Sequence, residues 1–587
     1  MQRLTFGQRK LNSILTATMA EMLVGTALSM TDSAIVGHLI GLDALAAINT
    51  VMPLTTLSLF LGTVVSSGAT LAYSNAIGAF QKEKADGVFG LALLAESVFG
   101  IALFLLSLFA PPVYIRHIGL SAPVAALLRD YMRFYAFFLL LRPLNTLLTA
   151  MVFCDGGERV GAASSIASSA GNAVFSLLLG WRLGIRGIAL GTLLSTLLSF
   201  GILSAHLFSR RSTLRPSLRF SPSDLVFILR TGINSDIMFL YLALLAALCS
   251  RIVTKRFGEE YLPMLTVLYA VIELNVALES AGEAIKPLTG AYLGEKNYPA
   301  LRALLDYTRR VNLLLGACMS LLLLAAAPLI PYVFDLGKNA ALYAVCVKGL
   351  RVYAVSFVPM AWLALYDSYW LYIGRQGLSL FSNTLKYFAC AAVFTPPLSY
   401  LLGPVGLWAG FALAPVLSLL IVWAVGLWRY GPRRFPALME EDGVPAADYS
   451  LRLTPEEIAD LQQRAEAFLR AEGTDRRTVY RVSLMLEELL NLIADKNPGK
   501  SVYAECCLRV EDGDVTMTLW DSGSSFDITQ EGAAPAGLSG DTLSTALEGL
   551  RRQVAASIVG RREKRYQLSL GLNRYFIRFE KEESKRT

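Results

Sequence analysis

Apolar runs of roughly twenty to thirty residues, separated by short polar breaks, fill the chain from about residue 14 to residue 428. A hydrocarbon core of roughly 30 Å needs about 20 apolar residues per crossing helix. The runs therefore predict about twelve membrane helices, near residues 14–40, 44–75, 87–110, 123–152, 160–181, 186–208, 224–254, 262–293, 309–334, 341–373, 378–401 and 404–428. Beyond residue 434 the pattern changes: 455–472 and 478–494 carry a helical period, while 501–508 and 515–520 alternate as strands. The expected fold is an α-helical polytopic membrane protein followed by a soluble α/β domain.

Two motif pairs recur in the same order. Gly78-Ala79-Phe80 with Glu83-Lys84 returns as Gly290-Ala291-Tyr292 with Glu295-Lys296, a shift of 212 residues, and Leu183-Gly184, Gly187 and Gly191 return as Leu402-Gly403, Gly406 and Gly410, a shift of 219. Six helices separate the copies, an even number, so the halves keep one topology and predict parallel repeats about an axis along the membrane normal. The domains expected are a six-helix lobe at 1–208, a basic linker at 209–223, a second six-helix lobe at 224–430, and a soluble domain at 435–587.

Composition sharpens this picture. With 54% hydrophobic and 17% charged residues, the chain is too apolar for an enzyme built of soluble domains alone. Residues 435–587 hold 20 Lys/Arg and 26 Asp/Glu, leaving 33 and 20 for the membrane part. Basic residues concentrate on the loops that share a side with both termini, about 18 against about 7, which predicts a cytoplasmic-membrane protein with both termini cytoplasmic. The basic N-terminus runs into a long helix without a small-residue cleavage site, the pattern of a retained first helix. Seven cysteines without C-x-x-C spacing and three scattered histidines suggest neither a disulfide framework nor a metal site, and no nucleic-acid partner is expected.

An ionisable residue at membrane depth costs about 2.5–3.5 kcal/mol on insertion scales, so each one is a functional candidate. Glu21 and Asp32 lie almost three helical turns apart and share a face. Glu279, Glu283 and Lys286 follow i, i+4, i+7 spacing on one stripe, with Glu273 on another face. Such a stripe suits an organic cation or a coupling proton. The competing reading makes Glu283 and Lys286 an internal ion pair. Asp236 is expected near the interface, in a solvated or capping role ahead of cation binding, and Asp367, among Trp362, Tyr366, Tyr369 and Trp370, is either a cavity or an interfacial residue.

The run Thr31-Asp32-Ser33-Ala34-Ile35-Val36-Gly37-His38, then Ala44-Leu45-Ala46-Ala47, resembles the first-helix signature of multidrug and toxic compound extrusion (MATE) transporters. Gly78-Ala79-Phe80, Gly156-Gly157, Gly171-Asn172 and Leu183-Gly184-Ile185-Arg186-Gly187 are similar to further motifs of that family, and the resemblance covers about 430 residues. It implies a transporter rather than an enzyme, with no required cofactor, exporting drug-like, cationic or amphipathic compounds against inward Na+ or H+. It also implies a cation or proton site at Asp32 and Asn172. Ala173 to Gly180 depart from the family pattern by lacking its second Asn and Asp-Pro, which makes Glu279 and Glu283 a competing coupling site.

In the soluble part, Glu487 and Asn491 lie one turn apart on a helix, and Asp521-Ser522-Gly523-Ser524-Ser525 sits at a strand end. This layout resembles the ATP-binding domain of histidine kinases and anti-sigma-factor serine kinases, which implies a nucleotide site at Glu487, Asn491, Asp521 and Gly523 for ATP with Mg2+. Ser525 replaces a glycine of that pattern, and Gly537-Leu538-Ser539-Gly540 is a weak substitute for its lid. A degenerate domain that regulates transport or holds a regulatory protein is the reading placed first. The cluster Arg561-Arg562-Glu563-Lys564-Arg565 reads as a solvated turn, with anionic lipid contact second. A flippase of lipid-linked precursors and a membrane sensor with a kinase-like tail are the alternatives for the whole chain. Acidic rather than basic cavity residues weigh against the flippase.

Overall fold

The computed structural model describes residues 4–39, 42–118, 122–209, 212–219, 221–258, 261–334, 336, 339–439, 443–525 and 564–580. The first half of the membrane region consists of α1 (Phe6–Leu39), α2 (Leu42–Gly78), α3 (Lys82–Ile118), α4 (Ala122–Cys154), α5 (Glu158–Leu183) and α6 (Ile185–Leu207). The second half is more broken: α7 (Pro222–Asp236), α8 (Met238–Arg256), α9 (Leu262–Glu273), α10 (Val276–Glu295), α11 (Tyr298–Ala326), α12 (Ile330–Val333), α13 (Ala340–Tyr353), α14 (Phe357–Tyr372), α15 (Gln376–Thr384), α16 (Cys390–Leu402) and α17 (Val405–Tyr430). Helix occupies each expected stretch, and among the described residues nine helices are long and apolar enough to cross a membrane. The outer surface is apolar where a soluble protein's would be polar. Leu178, Leu321 and Leu420 are exposed, whereas Ser164, Ser199, Asn312 and Thr289 are buried.

Several helix starts are written in the sequence. Ser221 caps α7 in a capping box with Asp224, behind Pro222 in the first turn, and Asn297 caps α11 ahead of Pro299. The linker does not hang free: Lys82 Nζ donates to Thr213 O at 2.6 Å, and buried Asp155 accepts from Thr213 N at 3.0 Å while pairing with His206 Nε2 at 3.0 Å.

The two halves share backbone detail. Gly184 and Gly403 break their helices at φ of +60° and +63°, a conformation that favours glycine. A Cβ at Gly187 would strike Leu179 O, and one at Gly406 would strike Leu398 O, the same partner at the 219 shift. The other motif pair needs correcting. Phe80 and Lys296 are the left-handed caps that follow α2 and α10, and Gln81 N bonds Ala76 O as Asn297 N bonds Tyr292 O. Gly78 therefore corresponds to Gly294, a shift of 216 rather than 212. The error is four residues, about one helical turn, which leaves a motif on nearly the same face and hides the slip in the sequence.

The C-terminal domain has α18 (Pro455–Ala471) and α19 (Arg476–Asp495) packed on a five-stranded antiparallel sheet. Its strands are β1 (Ala446–Arg452), β2 (Tyr503–Glu511), β3 (Asp514–Asp521), β4 (Lys564–Ser569) and β5 (Leu572–Phe579), in spatial order β1-β2-β3-β5-β4. Its entry is anchored in the membrane region. Phe435 packs in a cluster with Trp362, Trp370 and Trp423, and Trp370 Nε1 donates to Pro436 O at 2.8 Å.

Candidate functional site

Three helical stretches of the second half, two of them with irregular turns, border one polar cavity. The stretch 224–254 keeps helical backbone through Ile237, directly after Asp236, whereas 262–293 tightens to i to i−3 hydrogen bonds at Leu274–Asn275, one turn before Glu279. Irregular backbone at membrane depth is tolerated where it lines a cavity. In the third stretch, a π turn at Leu385–Ala389 separates α15 from α16 and carries Lys386 and Tyr387. Such an inserted residue is frequent at functional sites and rotates the side chains that follow.

Asp236, Glu279, Glu283 and Asp367 line the cavity together with Lys386 and Tyr387, and Ser235, Ser379 and Asn383 add neutral polar groups. Lys386 Nζ lies 2.7 Å from Asp367 Oδ2, both buried. Tyr387 donates its hydroxyl to Glu279, and Lys286 pairs with Glu283. Asp236 is buried, and its Oδ2 has no hydrogen-bond partner among the described residues. Lys286, Glu283 and Glu279 are near enough to act on it electrostatically. Four carboxylates thus face two ammonium groups. The water-accessible space is about 60 Å3, room for a few waters or a small hydrated cation and far below the roughly 300–1,000 Å3 of a drug-sized pocket.

Four of the acidic residues singled out in the sequence have definite places here. Asp236, at the end of α7, is a buried cavity residue rather than a solvated cap. Asp367 lines the cavity. Glu283 and Lys286 do form an ion pair, yet Glu283 remains 42% exposed and on the cavity wall, so the two readings of that pair coexist. Glu273 lies apart, exposed at the end of α9.

Sequence reading passed over Lys386, although it is the one charged residue in the run 378–401, and it passed over Glu96 in α3. Glu96 is fully buried, and neither carboxylate oxygen has a hydrogen-bond partner among the described residues. In the first half, Glu21 Oε1 accepts from Ser165 Oγ at 2.6 Å, tying α1 to α5. Asn172 Oδ1 accepts from Ser176 Oγ at 3.3 Å. Asp32 belongs to α1, but its side chain lies outside the described residues.

In the C-terminal domain, Glu487 accepts from Gln462 Nε2 at 2.8 Å, and Asn491 follows one turn later on α19. Asp521 is buried at the end of β3, where its Oδ1 accepts from Gly523 N at 2.7 Å and Asn573 Nδ2 at 2.9 Å. Burial raises its pKa to about 6. A Cβ at Gly523 would sit 2.6 Å from Asn497 Nδ2. The structure thus binds Asp521 and Gly523 into a turn with Asn497 and Asn573. Gly537 to Gly540 and Arg561 to Glu563 lie outside the described residues, while Lys564 and Arg565 open β4.

Comparison with known proteins fits this architecture. The MatE family model matches residues 17–178. The Probable multidrug resistance protein YoeA of Bacillus subtilis (strain 168) is 22% identical over 410 residues, covering 66% of this chain and 86% of that protein. A multidrug resistance MATE family transporter of the MOP superfamily, solved in an outward-facing conformation, superposes with a TM-score of 0.66 at 22% identity, covering 72% of this chain and 96% of that one. A MOP superfamily transporter from Pyrococcus furiosus gives a TM-score of 0.65 at 22% identity, covering 73% and 96%. The MATE relatives are transporters rather than enzymes, and the membrane region of this multi-pass chain has the MATE fold.

Proposed function

We propose that the chain is a MATE-type secondary antiporter of the cytoplasmic membrane, exporting drug-like cationic or amphipathic compounds in exchange for H+ or Na+. In this reading twelve helices span the membrane as two six-helix lobes, both termini are cytoplasmic, and the lobes rock about a central space. The carrying observation is the second-half cavity, with four carboxylates against two lysines in a space of about 60 Å3. Acidic excess selects a cation, and the volume selects a small one, so this cavity fits the coupling ion and leaves the substrate to the space between the lobes. Asp236 and Glu279 are its main ligands or proton acceptors, because the lysines face Asp367 and Glu283. Asp32 and Asn172 form an accessory site in the first lobe.

The absence of a P-loop G-x-x-x-x-G-K-[ST] in the sequence leaves the ion gradient as the energy source. The soluble domain acts as a regulator in this account. Engagement of Asp521 by Asn573 and Gly523 favours that role over ATP and Mg2+ binding. Efflux of a fluorescent cationic dye from proteoliposomes, under an imposed H+ or Na+ gradient, tests the reading. Gradient-driven efflux that falls to the passive leak in Glu279→Gln supports it. Failure of the wild-type protein to move dye under either gradient removes it.

A further inference from the structure

On the side that carries the soluble domain, the two halves meet backbone to backbone. A Cβ at Gly78 would lie 2.7 Å from Ala291 O, and one at Gly294 would lie 2.5 Å from Gly78 Cα, so the equivalent ends of α2 and α10 touch. No side chain fits between them, and the mouth between the halves is shut at this point.

That contact collects negative charge. The C-terminal carbonyls of two helices point toward one place, and Glu295 adds a buried carboxylate in the last turn of α10, where the helix dipole disfavours it. The cation that reaches them comes from the soluble domain. Arg574, on β5 and fully buried, donates from Nη1 to Ile77 O at 3.0 Å and from Nη2 to Gly78 O at 3.3 Å. The same guanidinium donates from Nε to Glu295 Oε1 at 3.0 Å and pairs with it again through Nη2. One side chain thus holds the end of α2 from the first half and the end of α10 from the second.

The sheet around Arg574 straddles the same seam. Toward the first half, Phe576 packs on Phe80 with ring centroids 5.3 Å apart, and the Leu570–Gly571 turn lies against Gly156. Toward the second half, Trp520 Nε1 donates to Glu295 Oε1 at 2.7 Å, Tyr292 OH to Glu505 Oε2 at 2.6 Å, and Asn297 Nδ2 to Asp448 Oδ1 at 2.9 Å. Arg509 Nη1 donates to Lys296 O at 2.9 Å. A domain that only hung from the end of α17 would touch one half. This one binds both, at the two loops that must separate when the mouth opens.

We propose that the C-terminal domain is a staple that holds the domain-side mouth of the transporter closed, with Arg574 as its pin, so that each opening toward that side requires the sheet to let go. The inference rests on the reading of the chain as a rocking antiporter. Opening the mouth draws Ile77 and Gly78 away from Glu295, and Arg574 cannot follow both. Release of the sheet in turn leaves Glu295 without its cation at the closed contact, which favours opening and hydration. Docking and closure are therefore linked in both directions, and anything that occupies the docking face of the sheet opens the mouth.

Spin labels at Glu83→Cys and Ala303→Cys, exposed positions on either side of the seam, report its width in the full-length chain in liposomes, with Cys318→Ser removing the exposed native thiol. Two variants release the staple. Arg574→Met with Glu295→Gln removes the pin without leaving a buried charge, and Phe576→Asp disrupts docking from a half-buried position that faces Phe80 rather than the domain core. The staple predicts a longer-distance population, enriched at least about fivefold over wild type in both variants, and faster gradient-driven dye efflux. An unchanged distance distribution in both variants, each folded by thermal melt, overturns it. The distances and the flux separate the two claims. A widened seam with no dye movement in any form keeps the staple and removes the efflux reading, while normal efflux with an unmoved seam does the reverse.

Discussion

The polar cavity of the second half and the domain-side seam both bury carboxylates against cations, yet they are built to opposite ends. The cavity holds Asp236, Glu279, Glu283 and Asp367 against Lys286 and Lys386, within one half, beside water-accessible space. The seam sets Glu295 against Arg574 with Trp520 as a second donor, across both halves and the soluble domain, in contact too close for a Cβ. Excess charge with room beside it is a place for a mobile cation. Balanced charge that ties two halves together is a clamp, because its two sides can part only by exposing both ions to water. Glu96 in the first half is a third case, a buried carboxyl whose oxygens have no hydrogen-bond partner among the described residues, and it serves as a control.

The largest expected effect falls on the cavity. Glu279→Gln or Asp236→Asn removes an acidic group not paired to a lysine, and gradient-driven efflux should drop to the passive leak while expression and melting temperature stay near wild type. Retained coupling in both variants would remove the cavity from the ion path. Next comes Lys386→Met, which leaves Asp367 buried without its ion partner and should cost about 3–5 kcal/mol. Adding Asp367→Asn should restore most of that stability, as thermal unfolding in detergent would show. No recovery in the double variant would mean that Lys386 supports the π turn rather than the charge.

A smaller effect is expected at the dock as pH changes. Burial and the neighbouring Glu295 push the Asp448 carboxyl up to about 7, and burial with Asp448 beside it raises Glu505 well above the usual carboxylate range. The groups facing them are Tyr292, Glu295 and Asn297 from the membrane region and Ser450 from β1. The docked state therefore binds protons more tightly than an undocked, solvated sheet. Its extra stability is complete below the ordinary carboxylate pKa of about 4 and is lost as pH rises through about 7. The long-distance population between labels at 83 and 303 should grow between pH 5 and pH 8, roughly severalfold, and shrinkage over that range would reverse the sign of this account. Glu96→Gln, a near-isosteric change at a buried carboxyl, should change least, with melting temperature near wild type and coupling intact. A loss of transport there would give the first half an ion site of its own.

Much of this architecture was legible in the chain because long apolar runs and glycine breaks are local signals. The helical stretches and the paired helix breaks at Gly184 and Gly403 follow from spacing. Glu279 and Glu283 were legible for the same reason, as charges at helical spacing in an apolar run. The burial of Asp236 was not, since it depends on the elements that pack against the end of α7, which are far away in the chain. Lys386 reaches Asp367 from a π turn, and hydrophobic period gives no sign of an inserted residue. The repeat offset slipped by four residues because sequence similarity on one helix face survives a one-turn shift, whereas the left-handed caps at Phe80 and Lys296 do not. Least legible was the seam: Arg574 lies 279 residues from Glu295, and nothing local to either points to the other.

The most direct test of the central claim is ion counterflow measured with dye efflux in the same proteoliposomes, for wild type and Glu279→Gln. The account predicts that wild-type dye movement follows the sign of an imposed H+ or Na+ gradient and is accompanied by uptake of that ion, and that both vanish in the variant. Dye efflux that persists in Glu279→Gln with its ion uptake unchanged would contradict it.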